Sequence, residues 1–143
     1  MKRFIFITLT LATAAMAGCV SAPSDLDLSL TRPTAEGRFV VTLQPPATPA
    51  AINQLHSWQV RLATRAGAPI AHARIKIDGG MPQHGHGLPT RPQVTQELSD
   101  GTYLIEGMKF NMTGWWEIKL AIESPEGTDK VTFNAVVSER AGR

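Results

Sequence analysis

The chain has 143 residues, with 14 Lys and Arg against 12 Asp and Glu, a formal charge of +2 and a single cysteine. That length suits one domain with a short extension. One cysteine excludes a disulfide framework or a cysteine-clustered metal site, and the absence of any basic run excludes nucleic acid as a partner.

Taken from the start, Met1-Lys2-Arg3 is a cationic head, residues 4–11 are an apolar run, and small residues continue to Gly18. This is the three-part layout of a secretory signal, too short to span a membrane stably as a helix. Met16-Ala17-Gly18-Cys19 resembles the lipobox of bacterial lipoproteins. Residues 1–18 are therefore expected to be a lipoprotein-type signal peptide, with Cys19 as the lipidation site. An acylated thioether is neither a nucleophile nor a thiolate ligand. Its diacylglyceryl group and amide-linked chain together pass the threshold for stable membrane attachment. Val20 stands where an Asp would resemble the inner-membrane retention signal of Gram-negative lipoproteins, so the expected location is the periplasmic face of the outer membrane. Without Lys2 and Arg3, twelve of the 14 basic residues remain against 12 acidic ones, and the chain is formally neutral.

Residues 20–36 lack a sustained period and hold Pro23 and Pro33. Residues 19–36 are expected to form the lipidated tether, a coil spanning about 20–25 Å on average. The alternation of Leu26, Leu28 and Leu30 leaves an ordered arm, docked as an edge strand, as the alternative. The domain is expected over residues 37–137, followed by a short tail at 138–143.

From Gly37 onward a period of two dominates. Residues 38–43 open the series. Trp58, Val60 and Leu62 then alternate with Gln59, Arg61 and Ala63, and Ala73, Ile75 and Ile77 with Arg74, Lys76 and Asp78. Residues 94–98 and 103–107 flank Ser99-Asp100-Gly101-Thr102, whose Asp-Gly is a hairpin signal. Trp116, Ile118, Leu120 and Ile122 form the sixth apolar face, and Val131, Phe133, Ala135 and Val137 the seventh. About seven short strands, no helical stretch and regular turn residues predict an all-β, immunoglobulin-like antiparallel sandwich.

Two connections carry more chemistry than connectors need: residues 79–92, with Met81, His84 and His86, and residues 108–115, with Met108 and Met112. If successive strands alternate in direction, both emerge at one pole, together with His56 at the start of the second run. His72 falls at the opposite pole and is assigned to the surface. Imidazole and thioether donors together suit copper, because thioether selects Cu(I) and imidazole accepts either oxidation state. Zinc fits less well, since thioether is a poor zinc ligand and neither loop carries a carboxylate. The candidate metal ligands are Met81, His84, His86, Met108, Met112 and His56. Against this stands a plain structural reading. Methionines fill irregular gaps at the end of a core, and a histidine opening a strand often bonds a loop carbonyl. Alternation points Trp116 inward and leaves Trp115 outward at the rim, where it is expected to pack under residues 79–92, the alternatives being to cover the His/Met loops or to stack on a partner. No nucleophile elbow, carboxylate pair or phosphate-cradling loop is present, so no enzyme is expected.

His56-Ser57-Trp58, the stretch from Asp78-Gly79-Gly80-Met81-Pro82 through His84-Gly85-His86 to Leu88-Pro89-Thr90, and Glu106-Gly107-Met108 through Met112 to Trp115-Trp116 together resemble the YtkA-like domain, which is related to the FixH-like proteins. The resemblance implies an immunoglobulin-like fold in the cell envelope. FixH-like members are associated with copper transport and the assembly of copper-containing oxidases, and they usually carry a membrane helix that this sequence lacks. The sequence thus points to a lipid-anchored copper-binding or copper-handling module. The alternative is a metal-free lipoprotein using the same pole to dock an envelope protein.

Overall fold

The computed structural model describes residues 22–48 and 51–139. The expected signal peptide, Cys19 and most of the tail at 138–143 lie outside the described residues. Among the described residues nine strands run in chain order: β1 (Thr31–Pro33), β2 (Phe39–Gln44), β3 (His56–Thr64), β4 (Arg74–Met81), β5 (His86–Gly87), β6 (Gln93–Glu97), β7 (Thr102–Met108), β8 (Gly114–Ser124) and β9 (Gly127–Val137). All pairings are antiparallel, in the order β1-β2-β3-β7-β6-β4-β8-β9, with β5 added to β4. The all-β expectation holds, with nine strands rather than seven. The added ones are β1 and β5, both too short to show a period.

The ladder has two halves, β1-β2-β3-β7-β6 and β4-β8-β9, joined through a single residue pair, Lys76 with Gln93. They face each other as a sandwich that is nearly closed into a barrel. Between them lie Phe39, Val41, Leu43, Val60, Leu62, Ile105, Trp116, Ile118, Leu120 and Phe133, all buried. These are the inward positions of the period-two runs, as a pleated strand with one dry face requires. Tyr103 ties the halves: its hydroxyl donates to the Ile70 carbonyl (2.7 Å) and accepts from the Ala73 N–H (3.1 Å). Burial of this phenol raises its pKa above the usual value, which keeps it a donor. In the β6–β7 turn, Asp100 and Gly101 both have positive φ (54° and 68°), as a two-residue primed turn demands.

The segment expected to be a tether is in part ordered. β1 pairs with β2, the Leu43 N–H donates to the Leu30 carbonyl (2.7 Å), and the Asn134 amide donates to the Asp27 carbonyl (3.0 Å). Arg32 donates to the Thr132 carbonyl (2.6 Å), and the Ala35 N–H to the Lys130 carbonyl (2.8 Å). The arm therefore bridges β2 and β9 and covers the seam where the barrel would otherwise be open. The edge strand forms at Thr31–Pro33, just past the leucines, of which Leu28 and Leu30 stay exposed, and an otherwise open strand edge gains these bonds.

Asp129 locks the same seam further down. Its carboxylate accepts the N–H groups of Glu36 and Arg38, each at 3.2 Å, and of Lys130 at 2.8 Å. Desolvation works to raise its pKa. The Thr34 hydroxyl and these N–H groups outweigh it and hold the value at about 2, below the ordinary 3.8. A depressed carboxylate contributes stability that is present above the unfolded-state pKa and lost as pH falls through the folded one. Between pH 4 and 2 the protein is thus expected to lose about 1 kcal/mol at this site, after allowance for solvent screening. Asp129→Asn should flatten that part of the stability–pH profile, measured by urea unfolding. A parallel profile for variant and parent would contradict it.

Candidate functional site

Strand directions alternate, so the end of β4, the start of β3 and the end of β7 share one pole. His56 pairs directly with Met108. The His-Gly-His segment is a tight hairpin rather than an open loop, since Met81 pairs with His86 and Gly80 with Gly87. The His84 and Gly85 N–H groups both donate to the Met81 carbonyl, at 3.1 and 3.0 Å. Gly85 takes φ of 67°, the left-handed turn that glycine adopts without a Cβ clash.

The second segment lies alongside. The Thr90 hydroxyl donates to the Gly107 carbonyl (2.7 Å), and the Trp116 indole N–H to the Met112 carbonyl (3.1 Å). Met81 reaches under Gly114 so closely that a Cβ there would sit 3.0 Å from its methyl carbon. The two segments on which any shared site depends are therefore neighbours.

A row of rings runs across this pole. His84 stacks on His86 at 5.9 Å between centroids, and His86 meets Trp116 edge-on at 5.9 Å. Trp116 touches Phe110 at 5.1 Å, and Phe110 touches His56 at 5.4 Å and Trp58 at 6.2 Å. His84 and His86 are exposed at the hairpin tip and stand together. His56 joins them only by way of Trp116 and Phe110, and its Nδ1 lies 3.1 Å from the Gln54 carbonyl. That contact places the proton of the neutral ring on Nδ1 and leaves Nε2 as its basic nitrogen. Met81 and Met108 are each 1% exposed and belong to the core, whereas Met112 is 39% exposed. Trp115 does not cover the histidines. It is half-buried on the outer face, and its indole N–H donates to Asn134 on β9 (3.0 Å). His72 stands at the opposite pole beside Glu97, Nδ1 to Oε2 3.6 Å.

Among the described residues no three His, Cys, Asp or Glu side chains converge. A metal ion at the hairpin tip would thus be held by the two imidazoles of His84 and His86 with thioether completing the set. In donor chemistry that set fits a soft ion such as copper.

Sequence reasoning missed a groove beside this rim. A cavity of about 410 Å³ opens at the seam, walled by Leu28, Leu30, Pro45, His56, Trp58 and Val137 among others. Trp58 is buried there, and its indole nitrogen has no hydrogen-bond acceptor among the described residues. The leucine alternation of residues 26–30 was the one signal for this wall.

Fold and pole together define an all-β sandwich with a histidine, methionine and aromatic rim. The chain belongs to the YtkA-like family, whose model matches residues 35–121. That span runs from the β1–β2 turn into β8 and includes every candidate ligand; β1 and β9, which flank the groove, lie outside it. No curated protein and no solved structure matches the chain.

Proposed function

We propose that this protein is a lipoprotein of the cell envelope, anchored through Cys19 at the periplasmic face of the outer membrane, that binds copper at its His/Met pole. The observation that carries the reading is the stacked His84–His86 pair at the tip of a tight hairpin. Its root residue is Met81, and the exposed thioether of Met112 stands on the neighbouring segment. Two imidazoles and thioether sulfur form a soft donor set suited to Cu(I), and the single cysteine is committed to the anchor. Met108 supports this pole from the core side, and the half-buried His56 lines the neighbouring groove rather than the tip. The role we assign to this donor set is binding or handling of the ion.

Titration of the intact chain with Cu(I) against a competing chelator tests the proposal. The expected dissociation constant is below micromolar, and His84→Ala with His86→Ala should weaken it about 100-fold or more, because both imidazoles are lost at once. An affinity unchanged by the double substitution would remove the metal site. The same pole would then stand as a metal-free docking surface.

A further inference from the structure

All five large hydrophobic side chains that are exposed among the described residues lie at the histidine pole: Leu28 (50%), Leu30 (43%), Leu55 (64%), Met112 (39%) and Val136 (50%). Leu28 and Leu30 lead into β1, Leu55 precedes β3, Met112 precedes β8 and Val136 is the penultimate residue of β9. Scattered exposed leucines need no explanation, but five at one end of a barrel do. The opposite pole is built differently. Its connections carry Glu36, Arg65, His72, Asp100 and Glu126 and expose no such side chain among the described residues.

We propose that the histidine pole rests on a lipid bilayer, with Leu28, Leu30, Leu55 and Met112 entering the interfacial region. This deepens the envelope reading above and rests on it. The first argument is continuity. Leu28 follows Cys19 by only nine residues, which span at most about 30 Å when fully extended. The eleven-residue β8 alone measures about 36 Å along its axis. An acylated Cys19 therefore keeps this pole beside the bilayer, whereas the far pole reaches it only with the leash drawn straight down the barrel.

The second argument is charge. The three connections at the pole, residues 45–55, 82–92 and 109–113, contain no acidic residue, and their only formal charges are Arg91 and Lys109. Asp27 on the arm is ion-paired with Arg32 at 3.4 Å, and the exposed Asp25 before it and Glu139 beyond β9 balance Arg91 and Lys109. A surface of exposed apolar side chains without net negative charge can approach phospholipid headgroups without repulsion. The half-open groove walled by Leu28, Leu30 and Val137 adds apolar surface to the same face. A bilayer, unlike a protein partner, requires no particular shape from this set, and the leash already supplies it at high local concentration.

The test uses the intact chain from a bacterial host in vesicles of phosphatidylcholine and phosphatidylglycerol with brominated acyl chains. Mass spectrometry of the N-terminal peptide reports separately whether Cys19 is acylated. All three tryptophans, Trp58, Trp115 and Trp116, sit at this pole, so short-range bromine quenching reads its contact with lipid directly. About half of the fluorescence is expected to be lost, and Leu28→Asp with Leu55→Asp should restore most of it while the acylated variant stays on the vesicles. Both substituted side chains are exposed, so folding should be retained, as circular dichroism will show. Quenching that survives the double substitution comes from the leash alone and overturns the docking surface. An acylated chain without quenching also overturns it, leaves the anchor standing and assigns the pole to a protein partner. An unacylated chain that is quenched at high vesicle concentration sustains the docking surface and removes the anchor. If it is neither acylated nor quenched, both fall.

Discussion

Trp116→Ala is expected to destabilise the protein by about 3–5 kcal/mol, the range for deleting a fully buried large aromatic side chain. The ring occupies the centre of the histidine pole. It lies against Phe110 on one side and under the edge of His86 on the other, and its indole N–H is satisfied by the Met112 carbonyl. The β4–β5 hairpin belongs to one half of the barrel, the 108–114 connection joins that half to the other, and both lean on this ring. For a domain of this size the loss should lower the melting temperature by about 10–20 °C, followed by circular dichroism. Trp116→Phe keeps most of the volume and loses the hydrogen bond, so it should fall well short of that. A loss below about 1 kcal/mol for the alanine variant would show that the pole packs without its central ring.

Gly80→Ala should be comparably damaging for the opposite reason, overcrowding. A Cβ on Gly80 would collide with the His86 carbonyl oxygen and lie 2.9 Å from the Gly87 Cα. Its neighbour Gly79 faces the Glu117 carbonyl on β8 just as closely. Backbone atoms cannot rotate away as a side chain can, so either the Gly80–Gly87 pairing or the β4–β8 ladder must open. The expected cost is about 3 kcal/mol, the upper end for overpacking, and the His86 and Gly87 amide resonances should shift. Gly85→Ala provides the contrast. Nothing lies within 4 Å of a Cβ there, and only its left-handed φ of 67° opposes the change, at about 1–2 kcal/mol. If Gly85→Ala proved the more harmful of the two, the close approach of the strands would not be what demands glycine at position 80.

These glycines also mark where reading the chain reaches its limit. Gly79-Gly80 ends a clear alternating run, and on that ground was taken to begin a loop. The pairing of Met81 with His86 makes it a strand that continues to the hairpin. Two-residue β5 has no period to detect, and its existence depends on Gly80 and Gly87 meeting without side chains between them. Likewise β1 is three residues long and ends in Pro33, an edge position that forms no pattern of its own. It is a strand because β2 and β9 leave the seam unsatisfied.

The candidate site was legible in part for a related reason. Antiparallel direction follows from short connections between strands, so the pole shared by His56, residues 79–92 and residues 108–115 could be derived without knowing the strand order. Orientation could not. Trp115 and Trp116 are adjacent, and alternation correctly turned Trp116 inward. The partner of Trp115 is Asn134 on β9, a residue nineteen positions away that no local pattern connects to it. Met81, Met108 and Met112 look equivalent as letters, yet two are core side chains and one is exposed.

By itself the amino-acid sequence determined the all-β class, the inward face of each long strand and the pole at which the histidines and methionines gather. Each of these depends on periods and turns that act within a few residues. Only the tertiary structure decided that the arm closes the seam and that His56 stands apart from the His84–His86 pair. It also decided that the exposed hydrophobic side chains collect at one end. Those outcomes depend on which distant backbone edges and rings come within hydrogen-bond or contact range, and no local pattern records that distance.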